Sequence, residues 1–174
     1  EGMPSEVTKT AGDVLAQRKD DPKEISALLV AALRQSYDFL EDKRPRGIDV
    51  LARVAQAVSA KETVPVLAER LLDPSTPTAA LKDVVVALTK LGGKDALPPL
   101  RNALLVYRAD PLFASEPDVL RRAGEGLLAL GGEPERRLIQ YVSMEPHTLP
   151  GLATHFRKVL DERAQPKPAA KPAR

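Results

Sequence analysis

Two histidines, His147 and His155, are the side chains of this 174-residue chain best suited to hold a metal or move a proton near neutral pH. Glu145 stands two positions before the first, but eight residues and a Pro150-Gly151 break separate the two imidazoles. A metal needs several ligands converging on one point, so His147 is expected in a turn and His155 on a helix surface. No serine has the sharply presented Gly-x-Ser-x-Gly setting of a hydrolase nucleophile. Gly93-Lys94 is followed by Asp95 rather than by Ser or Thr, and no strand precedes it, so it does not match a phosphate-binding loop. The pairs Asp20-Asp21 and Glu41-Asp42 fall at expected helix ends, where carboxylates are solvated or face a helix dipole. No catalytic residue, cofactor-binding residue or metal ligand is assigned.

Composition narrows the class further. Apolar residues make up 43% of the chain and aromatic residues 3%, with no tryptophan. Leu, Val and Ala therefore build the core, which favours packed helices over a β-sandwich. The absence of cysteine excludes disulfides, thiol chemistry and Cys-ligated zinc. The formal charge of +2 sits in the C-terminal tail: without Lys167, Lys171 and Arg174 the chain has 23 basic against 24 acidic residues. A strong nucleic-acid footprint is thus not expected, nor is a membrane span, because no apolar run approaches the ~20 residues needed. The start at Glu1-Gly2-Met3 points to a fragment of a longer chain. Both a cytoplasmic and an exported location fit, and the Ala/Pro/Arg-rich bias points to a bacterial source.

The elements that would carry any site are punctuated by sixteen prolines. Apolar periodicity restarts at Pro22, Pro45, Pro77, Pro117, Pro134 and Pro150, and proline is tolerated in a first helical turn. About nine helices result: roughly 5–17, 22–41, 46–59, a fourth carrying Val64, Leu67, Leu71 and Leu72, then 78–91, 94–107, 117–130, 134–143 and 150–163. The Val84-Val85-Val86 run is read as helix because its flanks keep helical spacing. Residues 108–115 form the longest interior loop, in which Leu112-Phe113 is a candidate exposed anchor or a pair tucked onto its neighbours. Tyr37, Tyr107 and Tyr141 fall in registers that suit a core. The domain is set at residues 1–163, and 164–174, rich in Pro, Lys and Ala, is expected to be a disordered tail or linker.

The chain repeats itself. Leu91-Gly92-Gly93 recurs 39 residues later as Leu130-Gly131-Gly132, with Leu81-Lys82 matching Leu120-Arg121 and Leu88 matching Leu127. Lys61-Glu62-Thr63-Val64-Pro65-Val66-Leu67 matches Lys94-Asp95-Ala96-Leu97-Pro98-Pro99-Leu100 at an offset of 33. The glycine pairs are expected to stop helices through the left-handed conformation. A helix ending in Ala87-Leu88-Thr89-Lys90-Leu91-Gly92 or Leu127-Leu128-Ala129-Leu130-Gly131, then a short turn and a helix with proline and spaced leucines, resembles the HEAT-repeat, armadillo-like family over roughly 46–143. The unit over 46–59 departs from the pattern, ending in Val58-Ser59-Ala60, and the unit over 117–130 carries Gly124 and Gly126 inside a helix.

The resemblance implies an all-α fold, a short α-solenoid of antiparallel helix pairs, with the second helix of each pair lining a concave face. Arg70, Arg101, Arg136, Arg137 and Gln140 would project from that layer, with Asn102 beside them. Such a polar stripe suits an acidic peptide or protein surface, held through Arg-carboxylate forks; the plainer alternative is a set of solvated helix positions. The expected function is a non-enzymatic protein-interaction or scaffold module with a protein partner and no cofactor. The alternative is a nucleic-acid-processing domain, since some DNA glycosylases resemble this fold. A tetratricopeptide-type peptide binder fits less well, because its Trp/Leu-Gly/Tyr pattern is missing.

Overall fold

The computed structural model describes residues 22–35 and 47–164, and every regular element among them is helical. The order is α1 (Pro22–Leu33), α2 (Ile48–Ala57), a 3₁₀ turn (Lys61–Thr63), α3 (Val64–Leu72), α4 (Thr78–Leu91), a second 3₁₀ turn (Gly93–Ala96), α5 (Leu97–Tyr107), α6 (Leu112–Ser115), α7 (Asp118–Leu130), α8 (Glu133–Met144) and α9 (Pro150–Ala164). The helix expected over 22–41 ends at Leu33, with Arg34 and Gln35 already outside it; the remainder of that range, Tyr37 included, the helix expected over 5–17 and the tail over 165–174 lie outside the described residues.

Local rules account for the boundaries. Pro65, Pro98 and Pro134 occupy first-turn positions of α3, α5 and α8, where no intrahelical N–H is needed. The valine run lies inside α4, with Val84 and Val85 fully buried. The segment expected as a loop over 108–115 contains one helical turn, α6, whose Leu112 N–H is accepted by the Asp110 carboxylate at 2.9 Å. That turn splits the Leu112-Phe113 pair: Phe113 is buried with its ring 4.9 Å from that of Tyr107, while Leu112 is exposed.

The helices form two layers. One contains α2, α4, α7 and α9, each packed on the next; the other contains α1, α3, α5 and α8. Across the layers α1 packs on α2, α3 on α4, α5 on α7 and α8 on α9. The helix pairs are therefore offset by one element from the sequence reading. Leu-Gly-Gly does not sit within a pair; it joins one pair to the next, between α4 and α5 and between α7 and α8.

The two glycine pairs also work differently. Gly93 takes φ +52°, the left-handed conformation expected of a helix stop. Ser59 takes φ 58° at the preceding joint, between α2 and α3. Gly131 and Gly132 have φ −94° and −128°, so no left-handed turn exists there. A Cβ on Gly131 would instead overlap the Glu135 side chain, which folds back over the joint.

Leu67, Leu88, Leu100, Leu104, Leu120, Leu127 and Ile139 fill the space between the layers without solvent exposure. Gly124 and Gly126, unfavourable in a helix by ~1 kcal/mol each relative to alanine, let α7 approach its neighbours. A Cβ on Gly124 would enter the Phe156 ring of α9, and one on Gly126 would lie 2.5 Å from Thr89 Oγ1 of α4.

Candidate functional site

The expected polar stripe is divided by the fold. Arg70 does not project from the surface. It is buried, and its guanidinium donates to the carbonyls of Leu33 (2.6 Å) and Gln35 (2.8 Å) and pairs with Asp73. It does not belong to the exposed stripe: its Nε and Nη2 hold the chain at the end of α1 against α3, and its Nη1 is taken by Asp73. Nothing in its local sequence shows this, since the carbonyls it meets lie more than thirty positions away.

Arg101 of α5 is half-exposed and pairs with Glu135 of α8, a nearly fully buried carboxylate. The other Glu135 oxygen accepts the Gly132 N–H at 2.7 Å, which is half of a capping box, glycine having no side chain to complete it. Arg137 is exposed and meets Glu133 one turn away at 3.1 Å. Asn102, Arg136 and Gln140 are exposed, and Arg136 has no ion pair among the described residues. The same two helices expose Val106, Tyr141 and Met144. Tyr141, expected in the core, is 52% exposed. Ile139 and Val142 face inward, and at 100° per residue Tyr141 lies well off that face.

A second surface lies on the opposite layer, where α4, α7 and α9 enclose an open groove of about 500 Å³. Its floor is Val86, Gly126, Ala129 and Val159. Ala129 on α7 is small and exposed, whereas Gly126 is packed closely against Thr89 of α4. The rim carries Lys90, Arg122 and Arg163 with Glu125 and Glu162. Lys90 Nζ donates to Gln56 Oε1 at 3.1 Å, and Arg163 Nη1 to the Leu128 carbonyl at 2.7 Å. Glu125 meets His155 Nε2 at 3.0 Å, and Glu162 meets Lys158 Nζ at 3.9 Å. The signal for this groove was present in the sequence as Gly126 and Ala129 among charged neighbours, but it has meaning only once α4 and α9 flank α7.

The two histidines serve separate carboxylates. His147 Nδ1 lies 2.8 Å from Glu145 Oε1, and its backbone N–H donates to the same oxygen at 3.2 Å. These hydrogen bonds hold the Glu145 carboxyl below its ordinary range against an opposing effect of desolvation, with further help from the charges of His147 and Arg108. Among the described residues no group of three or more His, Asp or Glu side chains is placed to hold a metal, and no helix is long and apolar enough to cross a membrane.

Comparison with family models, with curated proteins and with solved structures found no match to this chain.

Proposed function

We propose that this chain is a non-enzymatic protein-interaction module, a stack of HEAT-like helix pairs that offers a groove to a protein partner. The groove between α4, α7 and α9 carries this reading. It joins an apolar floor to a charged rim, the combination that lets a surface bury side chains of a partner and fix their orientation.

The stripe on α5 and α8 is the weaker candidate. Arg101 and Arg137 already face carboxylates of this chain, and Arg70 is inside. Exchanging an internal partner for an external one gains little.

A small aliphatic diazirine amino acid at Ala129, compact enough to leave the groove open, tests the proposal in extracts of the native source. A discrete crosslinked protein is expected, and it should be lost when Val86 and Val159 are enlarged to fill the groove. No discrete crosslink, together with turnover of a small substrate by the pure chain, would overturn it.

A further inference from the structure

We propose that the groove between α4, α7 and α9 receives an acidic, aliphatic peptide segment of a partner protein. This deepens the interaction reading above and rests on it. The charge arrangement at the rim is the starting point. Its two carboxylates have contacts of their own, Glu125 a hydrogen bond with the His155 imidazole at 3.0 Å and Glu162 an exposed contact with Lys158 at 3.9 Å. Of its three cations, Lys90 meets only the neutral amide of Gln56, Arg163 only the Leu128 carbonyl, and Arg122 has no hydrogen bond or ion pair among the described residues. The rim thus carries three cations against two carboxylates, and none of the three cations is in an ion pair among the described residues. Carboxylates satisfy that rim through charge-assisted hydrogen bonds, which an arginine can make in pairs.

The floor selects the rest of the ligand. Val86, Ala129 and Val159 are aliphatic, and Thr89 and Gly126 complete the lining beside them. A volume of about 500 Å³ accommodates a few aliphatic side chains. The occupant is thus a short segment in which Glu or Asp alternates with Leu or Val. A nucleic acid fits less well: Glu125 and Glu162 interrupt the run of cations that successive phosphates need, and no aromatic ring lines the groove for a base to stack on.

The test is a titration of the whole chain with a fluorescent peptide of alternating Glu and Leu, read by anisotropy, with the site mapped by amide chemical shifts. The expected result is saturable binding, with shifts at Lys90, Arg122, Gly126 and Val159. Replacing Glu by Gln in the peptide should weaken binding at least tenfold, as should R122E or K90E in the protein; raised salt should weaken it too. These positions are exposed, so an unchanged thermal melt shows that each variant folds; A129W, which fills the floor, is a second blocking variant that leaves the rim charges in place. Equal binding of the Gln peptide, tighter binding of a Lys-substituted peptide or of an oligonucleotide, indifference to R122E, or no binding at all would each overturn the acidic-peptide assignment. If the Ala129 crosslink still captures a discrete partner after such a result, the ligand chemistry is wrong and the interaction reading stands. If that crosslink fails as well, the interaction reading fails with it.

Discussion

Arg101 on α5 and Glu135 on α8 form an ion pair in which the Glu135 side chain is 3% exposed and the Arg101 side chain 42%. The same carboxylate takes the Gly132 N–H, so one side chain both starts α8 and ties it to its layer neighbour. Glu135→Ala should destabilise the fold by about 2–3 kcal/mol, from loss of the cap and the pair together. Glu135→Gln, which can still accept the amide hydrogen bond, should cost less. Arg101→Ala leaves the buried carboxylate without its cation and should fall between the two. Chemical denaturation of the three variants checks this order; equal stability of Glu135→Ala and the parent would show that the pair and the cap contribute nothing.

Arg70 makes a different prediction. Its guanidinium holds two carbonyls and Asp73 at once. Arg70→Ala should cost about 2–4 kcal/mol, because two carbonyl acceptors and a carboxylate lose their donor. Arg70→Lys should recover less than half of that, since a single ammonium cannot reproduce the fork. Hydrogen exchange in α1 should rise in both variants before it rises in α7.

The approach of α7 to α9 depends on position 124. Gly124→Ala would normally gain helix propensity, but its Cβ would enter the Phe156 ring, which is fully buried. Net destabilisation of about 1–3 kcal/mol is expected. Gly151→Ala is the control: nothing lies within 4 Å of its added Cβ, and it should be neutral or mildly stabilising. A thermal melt in which both substitutions stabilise would remove the close-packing account.

Glu145 supplies the pH dependence. Its folded carboxyl is held below the ordinary value of 4.5, first by the His147 hydrogen bond. A depressed folded pKa contributes stability that is fully present above the unfolded value and is lost as pH falls through the folded one. The contribution should therefore be complete above about pH 4.5 and fade only in more acid solution. Carboxyl NMR titration should show the Glu145 midpoint moving up toward the ordinary value in His147→Ala. An unmoved midpoint would transfer the effect to the backbone N–H of residue 147, which the substitution keeps, and to Arg108, whose Nε lies 3.5 Å away.

The sequence by itself determined most of the helices among the described residues, though not the early end at Leu33 or the turn of helix at Leu112–Ser115. The helix expected over 78–91 is Thr78–Leu91, and the one expected over 150–163 is Pro150–Ala164. Apolar spacing, first-turn prolines and charged helix ends act within a few residues, so they are readable without a partner in space. Close packing at Gly124 was legible as a glycine out of place, though not the ring it admits. Only the tertiary structure decided which helices pair across the layers, and so that Leu-Gly-Gly joins pairs rather than lying within one. It alone separated Arg70 from Arg136, two arginines on expected helices of which one is buried against the end of α1 and the other faces solvent. It alone built the groove, because Val86, Gly126 and Val159 come from three helices. The reason is one of range: periodicity and capping are set by neighbours along the chain, whereas burial, charge pairing and concavity are set by atoms that approach from thirty or more residues away.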